Sequence, residues 1–171
     1  MSRIGLTGLA AIALMGAARI PANTPLTAEG WGDLKIGMSE ADAVRRFDLN
    51  VPSSDDGVSS FACRELTFPK GGPELVVMTE EGRVTRISAF RNSAAQTDRG
   101  FRLGSREADL RKAYGASLKI EPHKYDDPPA HYLTAWTVPG KRGVRYETDQ
   151  KGVVNTIHAG GPSIEYVEGC L

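Results

Sequence analysis

"LGSREADLRKAYG" at residues 103–115 carries the start and stop signals of a short helix, and "IGMSEADAVRRFD" at residues 36–48 matches it along most of its length. Aligned without gaps, Gly37 meets Gly104, Glu40 meets Glu107, Ala41 meets Ala108 and Asp42 meets Asp109, while Arg45 meets Lys112 and Phe47 meets Tyr114. In the first stretch Ser39 is the expected cap, and Asp42 three residues later completes a capping box. In the second, Ser105 is the expected cap, Glu107 and Asp109 sit where the helix dipole favours negative charge, and Gly115 supplies the stop. Ala43, Val44 and Phe47 make an apolar stripe in one helix, as Leu110, Ala113 and Tyr114 do in the other. Each short helix must therefore lie on something.

Downstream of each helix the sequence reads as an antiparallel meander. The first has strands at 61–68, 74–80 and 83–90; the second has strands at 131–138, 143–149 and 152–159. Gly- and Pro-containing turns separate them, at 69–73, 80–82, 139–140 and 149–152. At an offset of about 70 residues Gly82 meets Gly152 and Ile87 meets Ile157. The expectation is an α+β fold built from two tandem helix-plus-antiparallel-meander repeats, residues 31–98 and 99–171. Together they form one layered sheet with both helices on one face. The other face would be bare, which an antiparallel sheet tolerates when that face is polar or holds a partner.

The unit "G-M-S-E-A-D-x-x-x-x-F" at 37–47, with a three-stranded meander after it, resembles the repeat of the β-lactamase-inhibitor protein family. It is also similar to the small outer-membrane assembly lipoproteins of the SmpA/OmlA type. The resemblance implies a tandem sheet whose concave face grips another protein. The lipidated cysteine of the lipoproteins has no counterpart here, and no inhibitor contact residue can be matched position by position. No functional residue is carried over.

The chain opens with Arg3 and then an uncharged, mostly apolar run from Ile4 to Ala18, with small-residue sites ending at Ala18 and at Ala22. That is the pattern of a secretory signal peptide over residues 1–22, too short to span a membrane. No cysteine lies near either cleavage point, so neither a membrane span nor a lipid anchor is expected. Removing residues 1–22 leaves 19 basic and 21 acidic side chains, a balance that argues against nucleic acid or an anionic membrane as partner. The expected location is the periplasm or the medium. There an isolated pair, Cys63 and Cys170, is expected to form a structural disulfide.

Alternation along the strands assigns faces. Val144 and Tyr146 point inward while Arg145 and Glu147 face water; Thr85 and Ile87 point inward while Arg86 and Ser88 point out; Val153 and Ile157 point inward while Val154, Thr156 and His158 point out. For 131–138 two assignments stand. Either Leu133 and Ala135 pack under the helix and leave Tyr132 and Trp136 on the open face, or the two aromatics are core. Under the first, Tyr132, Trp136, Arg145, His158 and Arg86 form a protein-binding patch, rich in the aromatic and arginine side chains that interfaces favour.

Catalytic chemistry is poorly supported. His123, Asp126, Asp127 and His131 lie within nine residues, but their spacing matches no established metal site and the segment also reads as a turn-rich loop. The "SSDDG" loop at 53–57 lacks the glutamate of an EF-hand, no G-x-S-x-G elbow exists, and Glu165 and Glu168 on a strand would face opposite ways. No catalytic residue, metal or cofactor is assigned. The expected function is a secreted or periplasmic, non-enzymatic protein-binding module, an enzyme inhibitor being one form of it. A cell-envelope assembly or structural factor is the alternative, and a small metal-dependent hydrolase the further one.

Overall fold

The computed structural model describes residues 20–21, 23–52 and 62–170. Most of the expected leader, and the "SSDDG" loop, lie outside the described residues. Three two-residue strands, β1 (Leu26–Thr27), β2 (Gly30–Trp31) and β3 (Leu34–Lys35), form a small antiparallel sheet with no periodicity long enough to read in the sequence. Helix α1 (Glu40–Phe47) starts as its capping box requires, the Asp42 N–H donating to Ser39 Oγ and that hydroxyl donating to the Asp42 carboxylate. Helix α2 (Glu107–Tyr114) differs: Arg106 holds the cap position with no side-chain cap bond, and Ser105 Oγ instead accepts the Arg102 N–H.

The main sheet has seven antiparallel strands in the order β4-β5-β6-β10-β9-β8-β7. They are β4 (Cys63–Thr67), β5 (Leu75–Glu80), β6 (Arg83–Phe90), β7 (Leu118–Pro122), β8 (His131–Val138), β9 (Arg142–Thr148) and β10 (Val154–Gly160). Strand β7 has no counterpart among the strands expected from the sequence. The chain is thus an α+β protein whose two meanders meet where β6 pairs with β10, with Ser88 directly opposite His158.

The same hydrogen bonds hold each helix to its meander. Gly37 N–H donates to Val84 O at 2.7 Å, and Gly104 N–H to Val154 O at 2.8 Å. Glu40 N–H donates to Gly82 O at 2.8 Å, and Glu107 N–H to Gly152 O at 2.9 Å. The first glutamate of each helix also reaches a basic residue and a threonine on two neighbouring strands. Glu40 accepts from Arg64 and Thr79; Glu107 accepts from Thr148 and lies 3.1 Å from His131 Nδ1. Glu107 is buried and Glu40 half-buried, and carboxylates satisfied this way lock helix to sheet instead of destabilising it.

Ala43 and Phe47 of α1 and Leu110 of α2 join one hydrophobic cluster with Leu66, Val77, Ile87, Leu133, Val144, Tyr146 and Ile157 of the sheet. Leu133 and Ala135 are in that cluster and Tyr132 is not, so the first of the two assignments for β8 holds. Two inward residues differ from the alternation, each beside a register shift: Val154 is in the core in place of Val153, where β9–β10 shifts between Val154 and Thr156, and Val84 in place of Thr85, where β5–β6 shifts between Met78 and Thr79.

The opposite face is not bare. After β10 the chain turns back across it as a 3₁₀ turn (Pro162–Glu165) and runs on to Cys170, which is bonded to Cys63 on the edge strand β4. The tail buries Ile164 completely and brings its side chain against Gly143, beside Trp136. Arg145, Arg86 and His158, expected to face water, are therefore buried. Covering a charged face is tolerable only if every charge on it finds partners.

Candidate functional site

Strand alternation places Glu65, Met78, Arg86, Ser88, His158, Arg145, Glu147, Thr134, Tyr132 and Trp136 on the face away from the helices. Of the five residues expected to form a surface patch, Arg86, Arg145 and Tyr132 are each 4 % exposed and His158 is 8 % exposed; only Trp136 is half-buried. The structure brings them into one neighbourhood, but as a buried polar layer.

A relay runs through its centre. Ser88 Oγ lies 2.8 Å from His158 Nδ1, and His158 Nε2 lies 3.1 Å from the Glu147 carboxylate. The arrangement is satisfied by a neutral imidazole that accepts the Ser88 hydroxyl proton and donates Nε2–H to Glu147. Burial holds the His158 pKa below its ordinary value, and the nearby Arg86 and Arg145 guanidiniums push the same way, against the Glu147 hydrogen bond. Burial alone would raise Glu147, but the hydrogen bond from His158, with the Arg145 guanidinium nearby, holds its pKa below the ordinary carboxylate value.

Around the relay the cations are paired. Arg86 donates to Ser163 O at 3.1 Å, to Tyr166 O at 3.2 Å and to Glu65 at 3.1 Å. The Arg145 guanidinium stacks over the Tyr132 ring at 3.9 Å and lies 3.8 Å from Glu121 and 4.0 Å from Glu165. His123 packs on the other side of the layer, its ring centroid 4.3 Å from that of Tyr132 and its Nε2 3.7 Å from Glu147. The 123–130 loop and the 161–170 tail are thus tied to the layer from above.

The Ser88 hydroxyl is not open to solvent, its residue being 3 % exposed. Nor does the structure gather the histidines of the 123–131 segment: His131 points to Glu107 on the helix side, while His123 lies over Tyr132 on the other face. Among the described residues no group of three or more His, Cys, Asp or Glu side chains is placed to hold a metal ion. Glu165 and Glu168 likewise serve separate lysines, Lys119 at 3.3 Å and Lys124 at 3.6 Å.

The covering segments present an outer surface of different character. Tyr125 is 59 % exposed, Tyr166 44 % and Val167 37 %, three of the five large apolar residues exposed among the described residues. A cleft of about 440 Å³ lies between loop and tail, lined by Lys124, Tyr166, Val167, Glu168, Glu80 and the disulfide. Lys124 joins the two segments, its Nζ 5.1 Å from the Tyr125 ring centre and 3.6 Å from Glu168. Sequence reasoning missed these residues. The only signal was aromatic and aliphatic side chains stranded in turn-rich segments with no strand or helix to bury them.

The described residues contain no helix long and apolar enough to cross a membrane. No family model matches the chain. No curated protein matches it. Among solved structures, the chain is similar to a cysteine-rich secretory protein from Staphylococcus aureus, with a TM-score of 0.46 and 11 % sequence identity over 84 % of this chain; the match covers half of that protein's length.

Proposed function

We propose that this is a non-enzymatic protein-binding module of the periplasm or the extracellular medium, made as a precursor with a cleaved leader. Its partner surface is the cover of the sheet, not the sheet face itself. The observation that carries this reading is a cleft lined by exposed Tyr166 and Val167, with exposed Tyr125 packed beside its lining residue Lys124. Aromatic side chains at the rim of a cleft, with paired charges between them, are the composition of a protein interface. Tyr132, Arg145, His158 and Arg86 take the role of a rigid floor, and half-buried Trp136 marks its outer edge.

The chain reads further as two like units, 31–98 and 99–171, each a helix with a meander after it. Support comes from the paired contacts Gly37–Val84 with Gly104–Val154, and Glu40–Arg64–Thr79 with Glu107–His131–Thr148. Location outside the cytoplasm is supported by the Cys63–Cys170 disulfide.

Affinity capture with the mature protein, from envelope extract and from medium, tests the reading. The expected result is a partner protein retained by the wild type and lost by a Tyr125→Ala, Tyr166→Ala double variant of unchanged melting temperature. Retention by that variant, or recovery of a small molecule and no protein, would refute the assignment of the surface. Recovery of outer-membrane assembly components, with the protein confined to the envelope fraction, would favour an assembly factor over a secreted inhibitor.

A further inference from the structure

Two leader cleavage points fit the sequence, after Ala18 and after Ala22, and they differ in the fate of Ile20. The fold uses that residue. Ile20 packs against the hydrophobic core, and its Cγ2 occupies space beside Gly32 so closely that a Cβ on the glycine would lie 2.9 Å from it. It also lines one wall of an apolar cleft of about 400 Å³, together with Trp31 and Leu75. The residues beyond it are fixed as well: Thr24 N–H donates to Pro21 O at 2.9 Å, and the Trp31 indole N–H donates to Thr24 O at 2.8 Å. Cleavage after Ala22 would remove both Ile20 and the Pro21 carbonyl, opening the apolar cleft to water and leaving the Thr24 N–H without its partner. Small side chains are wanted at the last and third-last leader positions. Ala18 and Gly16 meet that requirement; Ala22 puts the branched Ile20 at the third-last position.

We propose that the signal peptidase site is the bond between Ala18 and Arg19, so that the mature chain begins at Arg19 and keeps Ile20 as a permanent part of the core. The proposal rests on the secretory reading of the leader. Its chemistry is hydrolysis of one peptide bond: water is consumed, the leader leaves with the Ala18 carboxylate, and Arg19 gains a free amine.

Expression of the full chain in a bacterial host, with N-terminal sequencing and intact mass of the exported protein, tests it. The expected product begins at Arg19. A product beginning at Asn23 overturns the cleavage assignment and leaves secretion standing, whereas an uncleaved chain held in the cytoplasm overturns both. A second readout is the exported Ile20→Ser variant, which is expected to melt about 3 °C lower than the wild type, through loss of part of one buried aliphatic side chain. An unchanged melting temperature would show that Ile20 is absent from the mature core or contributes nothing there, and would overturn the argument.

Discussion

Ser88 on β6 and His158 on β10 face each other at the junction of the two meanders, with Oγ and Nδ1 2.8 Å apart. The pairs on either side flank the contact evenly: Ile87 lies opposite Ala159, and Ala89 opposite Ile157. The contact is therefore the place where one half of the sheet is joined to the other, and the relay to Glu147 hangs from it.

The two ends of that relay should respond unequally to mutation. Ser88→Ala removes one neutral hydrogen bond and is expected to cost about 1 kcal/mol. His158→Ala strips the Glu147 carboxylate of its closest donor inside a buried layer and leaves a cavity, so a loss of about 3 kcal/mol is expected. Urea denaturation of both variants measures the difference. Equal small losses would show that the layer is solvated and not sealed by the tail.

Stability should fall in two stages as pH is lowered. His158 is held below its ordinary 6.5, so the unfolded chain binds its proton first; stability is full above that value and declines as pH drops beneath it. Glu147 and Glu107 are both held below their ordinary 4.5. For Glu107, burial works against this, and the bonds from Arg111, His131 and Thr148 outweigh it. Their contribution is present above 4.5 and is lost on further acidification, which gives a second, steeper decline. Urea midpoints across this range, compared with those of Glu107→Gln and His158→Gln, should show the lower stage flattened in the first variant and the upper stage in the second.

Breaking the Cys63–Cys170 bond should loosen the cover before the sheet. The bridge spans a sequence separation of 107 residues, and its removal is expected to cost about 2–4 kcal/mol. With the disulfide gone, the last residues of the tail keep the weak, solvent-exposed Lys124–Glu168 pair, whereas buried Arg86 still grips Ser163 and Tyr166. Hydrogen exchange of a Cys63→Ser, Cys170→Ser variant should accelerate most at 167–170 and least in β6 and β10. Uniform acceleration would mean that the tail is not a separate cover.

The start of the tail depends on Gly160. Its φ is +149°, and a Cβ there would lie 2.3 Å from Thr85 O, a backbone atom of the neighbouring strand. Gly160→Ala is expected to destabilise by more than about 3 kcal/mol, because neither strand can retreat without breaking the β6–β10 ladder. Thermal denaturation checks this; a change of less than about 1 kcal/mol would show that the strands can part there.

Much of the scaffold is written in local chemistry. Ser39 with Asp42 starts α1, the spacing of Phe47 and Leu110 fixes the buried side of each helix, and alternation in β9 separates Val144 and Tyr146 from Arg145 and Glu147. Position-by-position likeness of the two helix stretches sets Glu40 against Glu107; that each reaches a basic residue and a threonine on the sheet is seen only in the structure. Two kinds of feature escaped. Strands β1 to β3 and β7 are too short or too weakly patterned for period-two reading, and the exchange of Val153 for Val154 in the core comes from a register shift that no local signal marks.

The sequence by itself determined the two helices, the strands of the meanders other than β7 and, away from the register shifts, which side chains share a sheet face, because each depends on spacing along one chain; the cysteine pair followed from its being an isolated pair in a chain with a leader. Whether the charged face meets water was decided only in three dimensions. Residues 161–170 come back over a sheet face that includes strands about 70 residues earlier in the chain, and the return is possible because Cys170 meets Cys63 and Arg86 finds the carbonyls of Ser163 and Tyr166. Alternation can say that Arg145 points away from the helices; only the tail's path says that it is buried, since burial depends on what else the chain lays on top.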